Sequence, residues 1–147
     1  MISKKLILFG MVSALLFSLA VGHNSIYAAP VTIDIHKAKN PGPGFDPQKI
    51  GTATFDTTDN KITISANTTA KAKPDKAFEG WLVDSGGSNY KLSLGKFENN
   101  GHLQFTENMV NPYTYKQFIM TEEPLNDIDP NSADTYGGAD LPPPFGQ

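Results

Sequence analysis

Phe78-Glu79-Gly80-Trp81-Leu82-Val83-Asp84 decides the fold, because it carries large apolar side chains on both parities. In an extended chain Phe78 and Leu82 project to one side and Trp81 and Val83 to the other, so this strand needs cover on both faces and is expected to be central. The flanking segments are apolar on one side only. Val31, Ile33 and Ile35 alternate with Thr32, Asp34 and His36; Ala53 and Phe55 share a face within 51–56, and Ile62 and Ile64 do so within 61–66. Thr57-Thr58-Asp59-Asn60 supplies turn chemistry between the last two. A period of two, with no sustained period of 3.6, predicts strands.

Downstream, Tyr90, Leu92 and Leu94 keep one parity, but Phe97 falls out of phase. A bulge at Gly95 is expected to insert one residue and return Phe97 to the core face. Asn99-Asn100-Gly101 then signals a tight turn before Leu103 and Phe105. Phe118 and Met120 are expected inward with Ile119 opposite, and 137–141 can form a last short strand. Asn40-Pro41-Gly42-Pro43-Gly44 cannot continue a ladder and reads as a linker or a strand-to-strand crossing. About seven to eight short strands predict an all-β, antiparallel, immunoglobulin-like β-sandwich rather than a barrel, following an N-terminal signal helix. The expected divisions are a signal peptide over 1–28, an N-terminal strand and Pro/Gly linker over 29–49, the sandwich over 50–141 and a disordered tail over 142–147. That tail, Leu141-Pro-Pro-Pro-Phe-Gly-Gln147, has polyproline docking as its alternative reading.

The signal peptide rests on Lys4 and Lys5, a predominantly apolar run over 6–21, and the small residues Ala28 and Ala29. Cleavage is placed after Ala28, since a cut after Ala29 would put Pro30 next to the scissile bond. The competing reading is an uncleaved membrane anchor, in which case the protein is a tethered sensor module. Cleavage leaves ten lysines against fifteen acidic residues, a formal net charge of −5, with no arginine and no cysteine. An acidic domain without guanidinium forks is ill suited to nucleic acid, and one without cysteine relies on apolar burial rather than disulfides. Phe45, Phe55, Phe78, Phe97, Phe105 and Phe118 are the expected aromatic core. Localisation is expected to be secreted or at the cell surface, with membrane contact only if the anchor is retained.

The order Gly51-Thr-Ala-Thr-Phe55, Phe78-Glu-Gly-Trp81-Leu-Val, Leu94-Gly-Lys-Phe97, Gly101, the strand from Phe118 to Thr121 with Glu123-Pro124, and Gly137-Gly138 resembles the C-terminal extracytoplasmic domain of the anti-sigma-K factor family. The resemblance covers about two thirds of the chain. It implies an outer β-sandwich with no catalytic residues. In that family a cytoplasmic helical segment captures a sigma factor; here about five residues precede the apolar run, so that capture is not expected to carry over.

Reactive chemistry is thinly represented. Asp127, Asp129, Asn131 and Asp134 place hard oxygen donors at alternate positions, which suits calcium, but Ser132 stands where a tight-turn glycine would belong, and a solvated acidic loop is the preferred reading. His36 and His102 have no spacing that unites them at a metal. Ser85, Ser88 and Ser93 lack a nucleophile elbow, and Glu79, Glu107 and Glu123 lack a paired histidine, so no catalytic residues are assigned and no enzyme is expected. Trp81 is expected in the core rather than on a sugar-stacking surface. Asn67-Thr68-Thr69 is a glycosylation sequon. The reading is a non-enzymatic surface binding module for a protein or an envelope polymer. Its alternative is a structural subunit whose strand over 31–36 completes a neighbour's sheet.

Overall fold

Alternating burial along the flanking strands, and burial of both faces along the central ones, sets the interior of the protein, seen here in a computed structural model that describes residues 28–147. The signal-peptide reading falls outside the described residues except for its last position, Ala28. The strands are β1 (Val31–Ala38), β2 (Phe45–Thr58), β3 (Lys61–Thr68), β4 (Lys76–Val83), β5 (Lys91–Lys96), β6 (His102–Asn108), β7 (Gln117–Pro124) and β8 (Thr135–Asp140), with a short 3-10 turn at Pro112–Thr114. All pairings are antiparallel, in the order β5-β4-β7-β8-β1-β2-β3-β6. The all-β antiparallel fold is as expected from the sequence.

The sheet folds over on itself. Phe55 of β2 meets Phe118 of β7 edge to face at 6.1 Å, and a Cβ on Gly80 of β4 would touch Leu103 of β6 at 3.1 Å. The half β5-β4-β7-β8 therefore lies over the half β1-β2-β3-β6. The chain crosses between halves from β3 to β4, from β5 to β6 and from β6 to β7, which are Greek-key connections of the immunoglobulin type. The halves are joined by the short pairing of His36 with Gly138 and Lys37 with Gly137. Ile33, Ile35, Ala53, Phe55, Ile62, Ile64, Phe78, Leu82, Leu103, Phe118 and Met120 fill the space between. Each large side chain buried there contributes on the order of 2 kcal/mol.

Strand β4 is central, between β5 and β7. Its inner residues Phe78 and Leu82 join the main core, while Trp81 and Val83 form a second cluster with Ile119 and the half-buried Phe45 on the outer face. The Gly95 bulge is present: Gly80 pairs with Gly95 and Trp81 with Ser93, leaving Leu94 as the extra residue, and Gly95 adopts φ +94. Leu94 and Phe97 are consequently both buried.

Three expectations are corrected. The segment 40–44 is a hairpin turn closed by the Lys39 amide on the Gly44 carbonyl at 2.9 Å. Strand β1 is accordingly no appendage; it pairs with β2 along its length and with β8 on its other edge. The tail over 142–147 is docked rather than disordered, because Phe145, 3% exposed, packs edge to face on Phe55 and Tyr113. The Gly146 and Gln147 amides donate to the Tyr113 carbonyl. Phe145 thus joins the aromatic core, whereas Phe45 and Phe105 are only half-buried.

A candidate binding site under an anchored strap

Polar groups are buried on the outer face of β4 and β7. Odd-numbered residues of β7 point away from the main core, which places Thr121 and Glu123 beside Trp81. The Trp81 indole Nε1 donates to Thr121 Oγ1 at 2.9 Å, and the Thr121 hydroxyl donates to Glu123 Oε1 at 2.5 Å. The same carboxylate oxygen accepts the Ala133 backbone amide at 2.7 Å. Glu123 is 1% exposed, and among the described residues no lysine pairs with it. A carboxylate out of water is tolerable only when donors replace its hydration; here a hydroxyl and a backbone amide do so.

Ala133 belongs to the segment 125–134, which lies as a strap along β5. Its Leu125 amide donates to the Asp75 carbonyl at 3.1 Å, and Lys96 Nζ reaches the Leu125 carbonyl at 3.0 Å. Near the other end Lys91 Nζ reaches Ser132 Oγ at 2.6 Å. Lys96 and Lys91 close opposite ends of β5, so the strap spans that strand's length. Between these fastenings Ile128 is 98% exposed.

The calcium candidates lie on this strap but turn inward on its own backbone. Asp127 Oδ1 accepts the Asp129 amide at 2.8 Å, and Asp129 Oδ1 accepts the Asn131 amide at 3.0 Å and its Nδ2 at 2.7 Å. Their alternation builds successive turns. Asp134 makes no such bond, and among the described residues no three His, Cys, Asp or Glu side chains converge as a metal site would require.

Where the strap passes the turn between β4 and β5, the two enclose an open cavity of about 400 Å³ lined by Asn89, Tyr90, Lys91, Pro130, Asn131 and Ser132. The turn is shaped by Asp84, whose Oδ2 accepts the Ser88 amide at 2.8 Å and the Ser88 hydroxyl at 2.7 Å. These bonds, the amide first, hold the Asp84 carboxyl below its ordinary value; Lys116 Nζ at 3.9 Å adds a smaller pull. Asn89 takes a left-handed φ of +58, and Tyr90 after it is 57% exposed. Tyr115 lies close by: partial burial first, then the charges of Tyr90, Glu107 and Asp84, raise its phenol above the ordinary value.

The remaining sequence candidates are scattered. Asn67 is exposed on β3, where its Oδ1 meets His102 Nδ1 of β6 at 2.9 Å. His36 lies on β1, with Nδ1 buried and without a hydrogen-bond partner among the described residues. The Ser93 hydroxyl donates to Glu79 Oε1 at 2.5 Å, Ser88 is taken by Asp84, Ser85 is half-buried in the same turn, and Glu107 is exposed on β6. Sequence reasoning missed both the Tyr90 cavity and the part played by Glu123. The available signals were an aromatic residue following a Gly/Ser/Asn turn and an acid on the parity of Trp81. In comparison with known proteins, the chain matches no family model, no curated protein and no solved structure.

Proposed function

We infer that this protein is a non-enzymatic β-sandwich binding module that acts outside the cytoplasm, at the cell surface or secreted, as the resemblance to the outer domain of anti-sigma-K factors implies. The observation that carries this reading is the anchored strap: a buried carboxylate of β7 and two lysines of β5 hold a ten-residue segment, and the strap and the Asp84 turn together present an exposed tyrosine at an open polar cavity. Binding residues concentrate on loops that a rigid scaffold positions. The N-terminal Lys/apolar/Ala pattern supports export. The resemblance itself offers no catalytic residues; Asp84 and Ser88 shape the turn, Asp127 and Asp129 shape the strap, and Ser132 fastens it to Lys91.

The test is retention of the exported full chain by isolated cell envelopes, comparing wild type with Tyr90→Ala. Retention by wild type and its loss in the variant support the module and its site; equal washing through of both removes the reading. Mass measurement of the exported product separates a cleaved secreted module from a tethered one.

A further inference from the structure

We propose that the Tyr90 cavity is a glycan subsite taking an uncharged pyranose chain, an assignment that rests on the binding-module reading above. Three observations point to this chemistry. The first is Tyr90, 57% exposed and lining a cavity of about 400 Å³, a volume suited to a small ligand. The negative face of an aromatic ring attracts the polarised C–H groups of a pyranose face, while its phenol can meet a hydroxyl.

The second is the supply of neutral hydrogen-bonding groups around the ring. Among the described residues, Asn131 Oδ1 takes no hydrogen bond and Asn89 Nδ2 makes none, while Asn89 Oδ1 holds the Gly86 amide at 3.1 Å. Ser132 accepts Lys91 at 2.6 Å and keeps its own proton to give. One acceptor, two donors and the phenol match vicinal hydroxyls, each of which both donates and accepts.

The third is charge. Lys91 is the single charged side chain lining the cavity, and its Nζ reaches the neutral Ser132 hydroxyl at 2.6 Å. One ammonium, in a chain without arginine, is a poor match for the clustered charge of phosphate- or carboxylate-bearing polymers, which leaves an uncharged saccharide as the partner that fits.

The experiment titrates the exported full chain with two neutral tetrasaccharides, one of β-1,4-linked N-acetylglucosamine and one of α-1,4-linked glucose, following backbone amide shifts, with polyphosphate as the charged control. The expected result is that one or both tetrasaccharides shift Asn89, Tyr90, Lys91, Asn131 and Ser132, and polyphosphate none of them. Which tetrasaccharide binds more tightly identifies the type of chain. Tyr90→Ala is expected to weaken binding about tenfold, with Tyr90→Phe retaining most of it; Tyr90 is exposed, and an unchanged melting transition verifies folding. The assignment is overturned if neither tetrasaccharide shifts these amides, or if Tyr90→Ala binds as tightly as wild type. Envelope retention without tetrasaccharide binding removes the glycan assignment alone, whereas loss of both removes the module reading as well.

Discussion

Glu123 and Trp81 are joined through one hydroxyl: the Trp81 indole donates to Thr121 Oγ1 at 2.9 Å, and Thr121 donates to the Glu123 carboxylate. This links the indole of the outer cluster to the anchor of the strap, since Glu123 also holds the Ala133 amide. Thr121→Val leaves an indole N–H without an acceptor and a buried carboxylate short of a donor, and is expected to cost about 2–4 kcal/mol. Denaturant unfolding followed by tryptophan emission measures it, and Trp81 is the sole tryptophan of the chain.

Glu123→Gln retains an oxygen that can accept from both Thr121 and Ala133, whereas Glu123→Leu retains none. The leucine variant is expected to be the weaker by about 1–3 kcal/mol and to show a red-shifted Trp81 emission as the strap lifts. Equal stability and equal emission in the two variants would remove Glu123 as the anchor.

The C-terminal segment is structural. Phe145→Ala empties a site between Phe55 and Tyr113 and is expected to cost about 3–5 kcal/mol. Thermal unfolding checks this, because a mobile end would leave the transition where it was.

Gly95 holds φ +94 at the bulge that brings Leu94 and Phe97 inward together. Gly95→Ala meets no neighbouring atom, so its cost is conformational, about 1–2 kcal/mol. Chemical denaturation of this variant isolates backbone strain from packing.

Asp84 sets an acid limb. Its carboxyl is lowered chiefly by the Ser88 amide and hydroxyl, so the stability it adds is fully present above the ordinary value of 3.8 and is lost as pH falls through the lower folded-state value. The stability gap between wild type and Asp84→Asn is expected at neutral pH and to close below that range, as urea unfolding across pH 2–7 can follow. At the alkaline end, Tyr115, raised by burial and by nearby negative charge, is expected to ionise above the ordinary tyrosine value; Tyr115→Phe removes that component from the ultraviolet titration.

Much of this architecture could be read from residue order. Period-two alternation in 31–36, 51–56 and 61–66 marks strands because each buries one face, and Trp81 opposite Leu82 marks β4 as central because both of its faces need cover. Gly95 betrayed its bulge by the parity break at Phe97. What covers the outer face of β4 was not legible. Phe45 reaches Trp81 only because a hairpin turn at 40–44 brings β2 back along β1, and Glu123 looks like any surface acid until its parity on β7 is known. The tail misled for a related reason: its prolines suggest disorder, yet Phe145 supplies enough apolar surface to dock. The acidic run 127–134 offered a calcium reading beside the preferred solvated loop because Asx turns and calcium loops use the same alternation of oxygen donors.

Amide hydrogen exchange at Ala133 tests most directly whether a buried carboxylate anchors the strap. In the wild-type protein the Ala133 amide, bonded to Glu123, should exchange far more slowly than that of the exposed Ile128. In Glu123→Leu it should exchange as fast as Ile128, while the amides of β4 and β7 stay protected. An Ala133 amide that exchanges as freely as Ile128 in the wild-type protein would contradict the anchor, and with it the cavity that the strap builds against Tyr90.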